Sequence, residues 1–346
     1  MSGSSLKSNK TLKKIMVGFL ASLSLVAFTS MPSWASNVTI KLGHDMPESS
    51  HHHRALLKWK ELVEERTGGD VTVTIFPSSI LGSATQMVEQ VQAGALEAAM
   101  LPNAQIAPID PDLSVLDLPF LFPSRKVAHE VLDGPIGDTV LKTLEGTGIV
   151  GVAHWESGFK QFTGNFPIHS PADYVGHKIR TMQSQVVQEQ FRAFGAVPTQ
   201  IAFSELYSAL QQGVVDGQEN AIATIAAGKL YEVQHYLTLS DHAFLGEVFM
   251  ISQSFYDSLD PKTRDILVTA AKEARDYQRQ LIDEVEQEHL ATFKKAGMEI
   301  IELTPEAHAA FVEASKPVYE WYRKERGGAL LDQILADVKK LSAGKQ

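Results

Sequence analysis

The sequence predicts an α/β protein of two similar domains, each built on a largely parallel sheet. Three observations carry this. The order strand, loop, helix, strand, helix, glycine, strand occurs twice. The second copy follows at a fixed offset: "QAGALEA" and "QQGVVDG" align Gly94 with Gly213, Leu96 with Val215 and Glu97 with Asp216. Finally, 346 residues with 44% hydrophobic and no cysteine suffice for two cores that need no disulfides. Two α/β units of one plan place their ligand sites beyond the carboxyl ends of the strands, and two such ends facing each other form a cleft.

The first 35 residues differ in kind. Lys7, Lys10, Lys13 and Lys14 precede an apolar run from Ile15 to Phe28, followed by Ser33-Trp34-Ala35. A basic segment, an apolar segment and a small–x–small site predict an export signal over 1–35, cleaved after Ala35. The 14-residue apolar run is short of the roughly 20 residues a membrane span needs. The signal holds four of the 31 basic residues and no acid, so the remaining 27 basic and 41 acidic residues give a net charge of −14. Such a chain is a poor partner for nucleic acid, whose phosphates demand a basic face. A small anion needs only one local cation.

In the first unit, "VTIKLGH" (Val38 to His44) alternates as a strand. "RALLKWKELVEERTGG" reads as an amphipathic helix stopped by Gly68-Gly69, "VTVTIFP" as a strand, and "SATQMVEQVQAG" as a helix before the short strand "ALEAAML". The second unit repeats this with "KIRTM", "QVVQEQFRAFG", "VPTQIAF", "SELYSALQQG" and "VVDGQEN". "GEVFMISQSFYDSL" follows as strand and turn. Asp260-Pro261 then supplies an N-cap and first-turn proline for a helix from Pro261 to about Ala296, roughly 50 Å long and so longer than one domain. "MEIIEL" is a further strand, Thr304-Pro305-Glu306 opens the C-terminal helices, and "ERGGALLD" divides them. The expected domains are 36–157 plus 246–282, and 158–245 plus 283–346.

Catalytic patterns are sparse. His51-His52-His53 and nearby His44 suggest a metal, yet consecutive histidines diverge on a helix, and zinc sites there use i, i+4 spacing. A polar helix start is the simpler account. Glu156, Glu205 and Glu219 invite comparison with glycosidase acid pairs, but their spacing does not pair them. No nucleophile elbow, phosphate loop or dinucleotide fingerprint occurs. The expectation is no catalysis, no metal and no cofactor; a secreted hydrolase stays as a remote rival.

Arg180 is the informative residue. It interrupts the strand "GHKIRTMQ" with a charge and no local acid, and a buried arginine needs a partner. A ligand carboxylate would meet its planar fork of donors at the strand end. Lys160 in "WESGFKQFTG" and Asn220 closing "GVVDGQEN" would complete a set for an organic acid. The residues alone leave an ion pair open for Arg180, surface exposure for Lys160 and a turn or cap for Asn220.

With these residues the chain closely resembles the extracytoplasmic solute receptors of TRAP transporters, the DctP family. The markers are "LVEERTGGDVTVTIFPSSILG", "DLPFLF", "GFKQFTGN", "GHKIRTMQS", "AFSELYSALQQGVVDGQEN" and "KLYEVQHYLTLSDH". The resemblance runs from about Val38 through the long helix and fades toward the C-terminus. It implies a two-lobe periplasmic binding protein, with lobes joined by strand hinges and a long spanning helix, closing on an organic acid. It further implies periplasmic location and delivery to TRAP membrane subunits, without the receptor itself being membrane-embedded. A sensory partner would use the same pocket.

By the resemblance, Arg180 matches the carboxylate-clamping arginine and Asn220 the asparagine of the Q-E-N signature. Lys160 stands where several C4-dicarboxylate receptors have lysine, and Asp45, Asn103, Gln183, Ser184 and Phe203 fall at pocket positions. "QENAIAT" departs from the common Q-E-N-P-x-x-N at Ala221 and Thr224, and Pro102 replaces an acid found in some sugar-acid receptors. Two cations favour a C4-dicarboxylate, with a uronate or other hydroxy acid as the alternative.

Overall fold

A computed structural model describes residues 38–343; the export signal expected over 1–35 lies outside them. Alternation places β1 (Val38–Gly43) in the sheet, with Ile40 and Leu42 buried and Thr39 and Lys41 exposed. α1 (His51–Arg66) starts three residues earlier than the hydrophobic pattern indicated, because the Ser50 side chain accepts from His53 N and caps the helix. β2 (Val71–Phe76), α2 (Ala84–Gln92) and β3 (Ala98–Pro102) complete the first unit.

Between the units run α3 (Asn103–Ile106), α4 (Arg125–Leu132), α5 (Pro135–Leu141) and the 16-residue β4 (Ile149–Gly164). The second unit is β5 (Lys178–Thr181), α6 (Gln185–Ala193), β6 (Val197–Gln200), α7 (Phe203–Gln211) and β7 (Gly217–Ala221). α8 (Ile222–Ala227) leads to the 17-residue β8 (Tyr236–Ser252).

The strand order is β2-β1-β3-β8-β4-β7-β5-β6, which reads the same way from either end. Each outer triple is parallel, and each joins the central β4–β8 pair through an antiparallel contact. The aligned repeat has a physical basis. Gly94 and Gly213 both take positive φ, 75° and 68°, ending α2 and α7 in a conformation glycine adopts without a Cβ penalty. Glu97 then accepts from Lys41 N at 2.9 Å, and Asp216 from Lys178 N at 2.8 Å, so each acid ties the start of the third strand to the first strand of its unit.

β4 and β8 pass through both halves and are the strand hinges between the lobes. Their register slips between Gly151 and Ala153, between Glu156 and Gly158, and between Lys160 and Phe162. Such irregularities bend a strand and re-aim side chains. The middle slip turns Ser157 toward the cleft, with Gly158 at φ 102°.

After α9 (Gln253–Ser258), the helix α10 (Pro261–Lys295) is capped by Asp260, which accepts from Lys262 N and Thr263 N. Its Leu267, Ala270, Ala271 and Ala274 pack in the first lobe, while Phe293 packs in the second, so it spans both. β9 (Glu299–Glu302) pairs in parallel with β8.

α11 (Pro305–Arg326) and α12 (Ala329–Ala343) require a correction to the expected domains. Phe311 packs with the second-lobe core, but Val318, Tyr322, Leu331 and Ile334 join the first-lobe core. α12 rests on α4 and α5. The tail therefore crosses back instead of staying with 158–245, because its second half carries the apolar residues that cover the first lobe. Among the described residues, no helix is long and apolar enough to cross a membrane.

Candidate functional site

The carboxyl ends of β1, β3, β5 and β7 meet at the middle of β4 and β8, around a narrow cavity of about 20 Å³. Of the expected residues, Asp45, Arg180, Phe203 and Asn220 line it. Gln105, Ser157, Thr224, Leu245 and Glu247 line it as well.

Arg180 is 1% exposed. Its Nε donates to Ile201 O at 2.9 Å, and its Nη2 has no hydrogen-bond partner. Burial pulls its pKa down to about 10, against the pull of Glu219 and Asp45. Among the described residues no carboxylate forms an ion pair with it. A buried guanidinium with a free donor at a cavity wall fits an incoming carboxylate.

Lys160 is placed differently. It is buried, and its Nζ donates to Glu219 Oε1 at 2.6 Å, away from the cavity lining. Glu219 Oε2 also takes His242 Nε2 at 2.6 Å and Gln190 Nε2 at 3.1 Å. Burial works to raise the Glu219 pKa, but Lys160 and His242 outweigh it and hold the group at about 2. The lysine thus serves an internal ion pair. Register explains it: Lys160 pairs with Ala221 across β4–β7, and Glu219 lies two residues along, on the same face.

Three other expected residues also stand behind the wall. Asn103 is buried with both side-chain amide atoms unpartnered, packed so closely against Gly246 that a Cβ there would come within 2.5 Å of its Nδ2. Ser184 caps α6 by accepting from Val187 N. Gln183 lines an adjoining groove with Gln105 and Phe203. Asn220 donates to Gln218 Oε1 at 2.5 Å, which orients its amide.

The cavity's first-lobe wall is acidic. Glu247 Oε1 accepts from Ser157 Oγ at 2.7 Å. Its Oε2 lies 2.8 Å from His52 Nε2 but out of line for a hydrogen bond, and has no partner. Burial, aided by Glu156, raises the Glu247 pKa to about 8 against the Ser157 bond. Burial and Glu247 together raise Asp45 to about 7. Thr224 Oγ1, also at the cavity, is unpartnered.

The histidines sit inside the first lobe. His51 and His52 are buried, and His44 Nε2 lies 3.0 Å from His53 Nδ1. Burial holds both His44 and His52 at about 3, hence neutral. Glu156 contacts His129 Nε2 at 2.7 Å, so it does not pair with Glu219.

Glu247 was missed by sequence reading, although its signal matches that of Arg180: one charge inside the apolar strand "GEVFMIS". Ser157 had a weaker signal, the glycine beside it marking a bulge.

Comparisons with known proteins identify the family and the fold. The family model for bacterial extracellular solute-binding protein, family 7 (DctP) matches residues 42–325. The C4-dicarboxylate-binding periplasmic protein DctP of Rhodobacter capsulatus is 35% identical over 94% of this chain and 98% of its own. A TRAP periplasmic solute-binding protein from Desulfovibrio salexigens, solved with orotic acid, is 35% identical with a TM-score of 0.85, covering 87% of this chain and 99% of that one. The sugar acid-binding protein of Advenella mimigardefordensis, solved with galactonate, is 33% identical with a TM-score of 0.84, covering 87% and 98%.

Proposed function

The chain belongs to the bacterial extracellular solute-binding proteins of family 7, and on that premise we propose that it captures an organic-acid anion by closing its lobes about β4 and β8. Arg180 takes a ligand carboxylate from the second lobe, Asn220 helps orient the ligand, and Asp45 and Glu247 meet it from the first. The closed acid-bound form is then delivered to TRAP membrane subunits. The carrying observation is the unpartnered Nη2 of buried Arg180 at the cavity wall. A ligand favours closure only by binding the closed state better than the open one.

Export by the signal over 1–35 places the receptor in the periplasm. Its task is binding, not chemistry. Ser157, His52 and Glu247 superficially suggest a catalytic triad, yet serine and acid both approach the same nitrogen, Nε2, and His52 Nδ1 has no partner. A histidine held at about 3 is also too weak a base for a serine proton.

The name of the R. capsulatus relative supports a C4-dicarboxylate, and the galactonate complex supports a hydroxylated monocarboxylate. Calorimetry of the purified protein with succinate, malate, erythronate and galactonate tests the reading. Saturable binding of at least one acid, lost in Arg180→Ala, is expected. Failure of all the acids, or unchanged binding by a folded Arg180→Ala protein, refutes it.

A further inference from the structure

We infer that Glu247 and Asp45 form the specificity-determining wall of the cavity, and that it reads a ligand hydroxyl opposite the carboxylate held by Arg180. This rests on the organic-acid reading above and narrows its substrate to hydroxylated monocarboxylates.

Charge within the cavity is the first ground. Arg180 is its one cationic lining residue, since Lys160 is spent on Glu219, whereas Asp45 and Glu247 are two carboxyl groups on the same wall. A dicarboxylate with one end on Arg180 would bring its other carboxylate toward those acids, and like charges in a buried site repel strongly.

Unfilled hydrogen-bonding capacity is the second, independent ground. Arg180 Nη2, Thr224 Oγ1 and Glu247 Oε2 belong to side chains that are 1%, 4% and 3% exposed; none of these atoms has a hydrogen-bond partner, and Glu247 Oε2 has only the off-line contact with His52 Nε2 at 2.8 Å. All three side chains line one cavity. A donor, an amphoteric hydroxyl and an acceptor thus await a small molecule with a carboxylate at one end and a hydroxyl at the other. Buried polar groups left unpaired are costly, so a ligand satisfying all three gains more than one satisfying only the arginine.

The wall is also held in place. Ser157, turned inward by the β4 bulge, donates to Glu247 Oε1, which leaves Oε2 for the ligand. Burial raises both acids, helped by Glu156 at Glu247 and by Glu247 at Asp45, so the pair retains a proton near neutral pH. Such a pair can both donate to and accept from a hydroxyl.

The test is calorimetric titration with succinate and erythronate, which share a four-carbon frame but differ in the far-end group. Wild-type protein, Glu247→Gln and Asp45→Asn are compared, with thermal unfolding as the check on folding. The wild type should prefer erythronate by about tenfold or more. Either folded variant should move that ratio about tenfold toward succinate, because an amide in place of either acid takes away a carboxyl oxygen that the ligand hydroxyl would meet. The inference falls if the wild type binds succinate as tightly as erythronate. It falls equally if the ratio is unmoved in the variants that fold. In both cases acid binding that depends on Arg180 would keep the receptor reading intact. If the wild type binds neither these acids nor malate or galactonate, the organic-acid reading fails and this inference with it.

Discussion

Lys160 Nζ lies 2.6 Å from Glu219 Oε1, with both side chains closed off from solvent. That contact decides what the lysine does. Breaking a buried pair leaves an uncompensated charge, at a cost of about 3–5 kcal/mol. Glu219→Gln should therefore lower unfolding free energy by about that amount in urea melts. His242 offers no rescue, since burial holds its pKa down and losing Glu219 would remove its acceptor.

Arg180→Ala should behave in the opposite way. The side chain makes one hydrogen bond, to Ile201 O, and its burial costs solvation. Stability should change little, while acid affinity falls by about 2–5 kcal/mol. Arg180→Lys should not restore it, because a point charge lacks the planar fork. Calorimetry together with a denaturation curve separates the two effects.

Glu247 gives a pH signature. Its folded pKa, raised to about 8, exceeds the ordinary 4.5, so the fold favours the protonated form. That contribution is fully present below pH 4.5 and is lost as pH rises from 4.5 through about 8. Ser157, His52, Asp45 and Glu156 surround the group, and His52 is neutral throughout that window. Glu247→Gln does not titrate. Its melting temperature should accordingly gain on the wild type as pH is raised from 5 to 8.5, with no such trend if the carboxyl is ordinary.

Gly158 sits at φ 102° in the β4 bulge, and a Cβ there would come within 3.0 Å of Arg125 Nη2. Gly158→Ala should cost about 1–3 kcal/mol in stability through backbone strain. Because the bulge also aims Ser157, ligand affinity should fall too. A variant with normal stability would show that the hinge tolerates another conformation.

Much of the fold was legible in the residues. The duplicated unit announced itself because both copies meet the same local demands: a glycine ending the helix, then an acid that reaches back to the first strand, as Glu97 and Asp216 do. Arg180 was legible because a charge in a short strand has no local explanation. The crossing of the tail was not, since the apolar stripe on α11 and α12 specifies that something is covered but not which lobe. The second-lobe wall of the site was half legible; of the acidic wall, Asp45 was expected and Glu247 was missed.

What the sequence determined by itself was local: caps, helix stops, strand alternation and the positions where a charge stood among apolar neighbours. Tertiary structure alone decided which charges were already satisfied. Lys160 and Arg180 look alike as cations near strand ends, but register across β4–β7 hands Glu219 to Lys160 and leaves Arg180 Nη2 unpartnered. Likewise Glu247 lies 202 residues from Asp45, and only the antiparallel course of β8 back through the cleft sets both on one cavity. Pairing of charges depends on distances through space, which residues remote in the chain acquire only when the sheet closes.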